Sequence, residues 1–132
     1  MTTELTALVA CALLALGLAL LTVAVHLRAF GGPAIRSSRD DYPPLTGLAG
    51  RVVRAQANHG EALLPFAVVT LAAAHLGVSN GVTAGAAEAF LGARIAHASL
   101  YLAGVPILRS VAFYAGLVAT LVIAAQLPLR FI

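Results

Sequence analysis

Three short segments carry residues that do not belong in apolar surroundings without a reason. The first holds Arg51, Arg54, Asn58 and Glu61. At about 100° per residue, a helix puts these four at about 0°, 300°, 340° and 280°, on one narrow face. The second holds Arg94, His97 and Tyr101, spaced i, i+3, i+7, again on one face. The third is the pair Arg109-Ser110. Arginine offers a planar fork of donors that matches a carboxylate. Several Arg against one nearby carboxylate, Glu61, leave surplus positive charge. The chemistry implied is capture of a small guest with more than one acidic group, in a pocket lined by Arg54, Arg94, Arg109, Glu61, Asn58, His97, Tyr101 and Ser110.

The rest of the chain explains why those groups stand out. Of 132 residues, 61% are hydrophobic and 10% charged, against about 45–50% and about 25% in a soluble domain. So few charges cannot cover so much apolar surface in water, which excludes an ordinary soluble enzyme. The net charge of +3 rests on eight Arg and no Lys, and no dense basic stripe speaks for a nucleic-acid partner. The length is that of one domain. Cys11 has no second cysteine to pair with and reads as an inert packing residue.

Hydropathy divides the chain into four helices, about 6–29, 48–77, 83–104 and 109–129, within a single domain over 1–132. The nineteen uncharged positions from Ala7 to Val25 suffice to span about 30 Å of hydrocarbon. Glu4 precedes them and no Lys or Arg does, so this run reads as a retained span rather than a leader. Gly31, Gly32, Pro33, Pro43, Pro44, Gly47 and Gly50 mark the long polar loop, which includes Arg36, Arg39, Asp40 and Asp41. The expected fold is an all-α integral membrane protein, a four-transmembrane-helix bundle. Arginines gather around loops 1 and 3, while Arg130 stands alone on the other side. The positive-inside rule therefore puts those loops in the cytoplasm and both termini outside, as for a protein of a bacterial inner membrane. The second helix begins, the third ends and the fourth begins on one side, so the three polar segments point at each other.

Taken singly, each residue has a plainer role. Arg51, Arg54 and Arg109 can reach headgroups from helix ends. Glu61 can be an ion-pair partner, His97 a hydrogen-bonded packing residue, and Tyr101 and Tyr114 interfacial residues. Glu88 and His75 read as structural or exposed, and Pro65 as a kink. Gly85, Gly92, Ala96, Ala103 and Gly116 suit close helix packing in lipid. The shared register of the polar clusters argues for a pocket.

The same segments carry a resemblance. Arg51-Val-Val-Arg54-Ala-Gln-Ala-Asn58-His-Gly-Glu61-Ala-Leu-Leu-Pro65-Phe66 resembles the second-helix signature of the MAPEG family, the membrane-associated proteins in eicosanoid and glutathione metabolism. Arg94-Ile-Ala-His97-Ala-Ser-Leu-Tyr101 resembles its third-helix motif, and Arg109-Ser110 its Arg-Ser pair. The loop from Arg39 to Arg51 is similar to bacterial members. The resemblance implies a homotrimer of four-helix protomers in the bilayer. It also implies glutathione as thiol co-substrate, and transferase or peroxidase action on a lipophilic small molecule. By position, Asn58 and Glu61 would hold the glutamyl end. Arg94, His97 and Tyr101 would hold backbone or carboxylate groups, and Arg109 or Ser110 would face the sulfur. Arg54 and Tyr114 complete the expected binding set. The sequence departs from the family at Ala57, where Arg is frequent, at Gln56, where His is frequent, and at Phe113, where Tyr is frequent and Tyr114 follows. Two further readings compete: a non-enzymatic bundle that uses the pocket for anionic lipid or a partner, and a transporter relaying protons through Glu61 and His97. Clustering of the polar groups at one end disfavours the transporter.

Overall fold

The structure is a computed structural model that describes residues 1–38, 40 and 42–128. Arg39, Asp41 and Arg130, named above, and Leu129, the expected end of the last helix, lie outside the described residues. All regular structure among the described residues is helical: α1 (Thr3–Phe30), the single-turn α2 (Pro33–Arg36), α3 (Gly47–His75), α4 (Gly81–Ala103) and α5 (Pro106–Ala125). The four long helices correspond to the expected runs. The short α2 sits in what reads as loop, because Pro33 at the first helical position favours a turn of helix.

Local chemistry sets the ends of these helices. Thr2 caps α1 through the Leu5 N–H. Asn80 and Thr83 form a reciprocal capping box at the start of α4. Gly104, at φ 78°, ends α4 in the left-handed region. Pro106 then opens α5, ahead of the expected start at Arg109, so Arg109 closes the first turn and Ser110 begins the second. With so short a link, α4 and α5 pack side by side in opposite directions.

α1 packs against α3 and α4, and α3 packs against α4 and α5. The core holds Ala7, Cys11, Phe66, Ala73, Ala87, Phe90, Ala119 and Ile123. The Phe66 and Phe90 rings stack at 3.8 Å. Gly116 is buried against the Phe90 ring and the Arg94 stem, and this close approach brings α5 onto α4. Gly85, Gly92, Ala96 and Ala103 are exposed, and among the described residues nothing approaches the two glycines as closely. α3 runs as one helix through Pro65.

α1 and α5 are long and apolar enough to cross a membrane, and most of each lies uncovered by the rest of the chain. α3 and α4 are comparable in length, at 29 and 23 residues, but carry the polar residues of the first two segments.

Candidate functional site

Arg94 is the centre of the buried polar structure. It lies about 20 Å along α4, near mid-bundle, and is 1% exposed. A guanidinium at that depth needs partners. Its Nη2 donates to Asn58 Oδ1 at 3.0 Å, and its Nε donates to His59 Nδ1 at 3.3 Å. The other ring nitrogen of His59, Nε2, donates to the Cys11 carbonyl of α1 at 2.9 Å. Three helices are thus joined through one chain of hydrogen bonds. Arg94 Nη1 has no hydrogen-bond partner among the described residues.

Two cavities adjoin this centre. One, of about 330 Å³, lies between α3, α4 and α5 and is lined by Glu61, Arg94, Phe113 and mostly apolar residues including Phe90, Leu117 and Leu121. The other, of about 180 Å³, is lined by Asn58, His97, Tyr101, Arg109, Ser110 and Phe113. Phe113 is a wall of both, and Asn58 links them through Arg94.

In the smaller cavity the polar groups are held at defined angles. His97 Nδ1 donates to the Arg109 carbonyl at 3.0 Å, and its buried Nε2 is left without a partner among the described residues. A carbonyl only accepts, so Nδ1 carries the proton and Nε2 of the neutral ring offers a lone pair. The Arg109 guanidinium lies over the Tyr101 ring, 4.4 Å from its centroid, a cation–π contact that steadies the charge. Ser110 Oγ donates to the Pro106 carbonyl at 3.1 Å.

The model of the MAPEG family matches residues 5–128, nearly the whole chain. The chain belongs to the MAPEG family. No curated protein matches it. MAPEG membership agrees with the two apolar helices in marking a membrane-associated protein.

The site residues expected for a MAPEG protein divide differently from a single pocket. Asn58, His97, Tyr101, Arg109 and Ser110 share one cavity, while Glu61 and Arg94 share the other. The three guanidinium groups of Arg54, Arg94 and Arg109 do not meet around one space within the protomer, which corrects the expectation. Arg54 is exposed, lines neither cavity, and lies back beside Gly50. Arg51 serves α4 instead: its Nε donates to the Leu102 carbonyl at 3.0 Å, and its guanidinium rests against Gly104. Register put Arg51, Arg54, Asn58 and Glu61 on one face but said nothing of depth. Ten residues of helix separate the first from the last by about 15 Å. Tyr114 is 62% exposed and lines a separate apolar groove of about 800 Å³ between α4 and α5, with its ring edge-on to Phe113 at 5.5 Å.

His59 was missed from sequence. It lies about 80° from Arg51 around α3, off the polar face, so the face argument passed over it. Being the one ionisable residue on the inward side of α3's polar segment was the available signal.

Proposed function

We propose that this chain is a glutathione-dependent transferase or peroxidase of the bilayer, acting on a lipophilic electrophile. The observation that carries the reading is buried Arg94, whose Nη1 is unpartnered among the described residues and whose side chain, with Glu61, lines a cavity walled by the same Phe113 as the cavity of Arg109. Two cations and one carboxylate line the pair of cavities. Glutathione, with two carboxylates and one ammonium, is their complement in charge. Arg94 Nη1 and Glu61 take the carboxylate and ammonium of the glutamyl end, and Asn58, Tyr101 and His97 take polar groups of the peptide.

The thiol then falls to Arg109. A free thiol has pKa about 8.5, and a neighbouring guanidinium lowers it. The vacant His97 Nε2 is an acceptor for the thiol proton. The sulfur electron pair forms the new C–S bond to the electrophile, whose leaving group or opened ring oxygen takes up a proton. Holding both reactants in one place removes much of the entropic barrier. Leu117 and Leu121, on the outer wall of the larger cavity, are 47% and 58% exposed, so a molecule dissolved in lipid can reach the site from the side.

In this reading α1, α3, α4 and α5 all cross the membrane, with the α1–α3 and α4–α5 connections in the cytoplasm. Three copies assemble, with the α4–α5 groove, lined by Gly81, Gly85, Ala89 and Ala115, seating a neighbour and bringing Tyr114 to the subunit boundary. The test is a titration of the detergent-solubilised protein with glutathione and with S-methylglutathione, which keeps both carboxylates. Binding of both in the millimolar range or tighter is expected, with turnover of a lipophilic electrophile by glutathione alone. Absence of glutathione binding, or copurified anionic lipid that neither compound displaces, overturns the proposal in favour of a lipid-binding bundle.

A further inference from the structure

The hydrogen-bond chain through His59 has a direction. The Cys11 carbonyl can only accept, so His59 Nε2 carries a proton. Arg94 Nε can only donate, so His59 Nδ1 carries none. Both partners demand the same neutral Nε2–H form. The same logic fixes Asn58. Its atom facing Arg94 Nη2 must be the carbonyl oxygen, so its amide N–H groups are what it can offer to the cavity it lines. His59 and Asn58, consecutive on α3, together occupy Nε and Nη2 of the guanidinium and leave Nη1 over.

We infer that His59 is a positioning residue for the guest site: by accepting from Arg94 Nε and anchoring on Cys11, it fixes the guanidinium of a side chain that lines the larger cavity, leaving Nη1 over, and it commits Asn58, which lines the smaller one, to act there as a donor. It touches no guest itself. Through it, the backbone of α1 sets the orientation of two groups that α3 and α4 present. The guest chemistry selected is an acceptor, carboxylate or carbonyl, at both Arg94 and Asn58. The inference rests on the proposed glutathione site only for its guest, because the tautomer and the hydrogen-bond order belong to the free protein.

Two substitutions separate positioning from mere filling of space. His59→Asn places an oxygen where Nδ1 stands, keeping the acceptor for Arg94 while losing the Cys11 contact. His59→Leu loses both. The glutathione Kd should rise about ten- to a hundredfold in His59→Leu and only a few-fold in His59→Asn. Equal losses in the two, tracking their melting temperatures, would mean a purely structural role and overturn the inference. Should His59→Leu fail to fold, Asn58→Asp decides, since it keeps an acceptor for Arg94 but removes the amide donors. A glutathione Kd unchanged in Asn58→Asp overturns the inference, and a rise of about tenfold or more supports it. Nitrogen-15 NMR of the histidine rings in the glutathione-free protein gives an independent reading. A proton on Nε2 and none on Nδ1 of His59 is expected, and protonation at Nδ1 overturns the assignment. If wild-type protein binds no glutathione, the proposed function falls, while this ring signal still decides the order of the hydrogen bonds.

Discussion

The two ends of the bundle treat charge in opposite ways. Where α1 and α4 begin, Glu4 is buried, yet it accepts from Ser79 Oγ at 3.1 and 3.3 Å and from the Thr83 hydroxyl. It also lies in the first turn of α1, where the helix dipole favours an anion. Thr83 belongs to the Asn80 capping box, and Asn80 in turn donates to Gln126 at 3.3 Å. Among the described residues, what is buried there without a partner is a neutral group, the Thr70 hydroxyl. Toward the other end, where α4 finishes and α5 starts, cations outnumber carboxylates in the cavities, and a guanidinium N–H and an imidazole nitrogen are both buried and unpartnered. A buried charge with its hydrogen bonds filled holds helices together. One with donors to spare implies a guest that completes it.

The largest effect that could break this contrast is on turnover. Arg109→Ala should lower the rate of thiol addition to a lipophilic electrophile about 10²- to 10³-fold, the usual loss when a group facing developing charge is removed. The His97 contact to the backbone carbonyl of residue 109 survives the change, so the melting temperature should hardly move. Steady-state kinetics beside thermal unfolding in detergent checks both. Retention of the wild-type rate would move the chemistry away from this cavity.

Arg94→Leu should act on stability and binding together. It leaves His59 Nδ1 buried without a donor, at a cost of about 1–3 kcal/mol, and takes the donor from half-buried Asn58 Oδ1 at a smaller cost. Glutathione binding should disappear. Glu4→Leu is the matching change at the other end. It should cost about 1–2 kcal/mol, because Thr83 can turn its hydroxyl fully to the Asn80 carbonyl, 3.0 Å away, and Ser79 is exposed. The glutathione Kd should stay at its wild-type value. A Kd that rises as much in Glu4→Leu as in Arg94→Leu would erase the distinction between the ends.

How much of this was legible in the sequence follows the same division. The long apolar runs disclosed the four long helices because period and composition suffice for that. Gly104-Val105-Pro106 disclosed the α4–α5 turn, since glycine suits the left-handed end of α4 and proline the first position of α5. The polar residues of α3 and α4 announced a site, since lipid makes every such residue conspicuous. Register could not say which of them would turn toward a neighbour's helix end, as Arg51 does, or lie exposed, as Arg54 does. Those outcomes depend on depth and on the partner helix. His59 and Glu4 were hidden for a different reason. Their partners, Cys11 and the Ser79–Thr83 pair, are 48 and at least 75 residues away, and no local pattern records such a pairing.

The smallest effect concerns Ser110, which the sequence pairs with Arg109 as a second candidate to face the sulfur. Its hydroxyl already donates to the Pro106 carbonyl one turn back, as serines in helices commonly do. Facing a thiolate would require it to give up that bond, whereas the Arg109 charge rests on an aromatic ring that competes for no hydrogen bond. Ser110→Ala should therefore lower turnover only about two- to tenfold, with the thiol KM little changed. Ser110→Thr should keep most of the wild-type rate, because the hydroxyl can hold the same backbone bond. Comparing kcat for the two variants with that of Arg109→Ala ranks the two groups. A Ser110→Ala loss as deep as the Arg109→Ala loss would make the hydroxyl the principal donor to sulfur and reduce the guanidinium to a binder of the peptide.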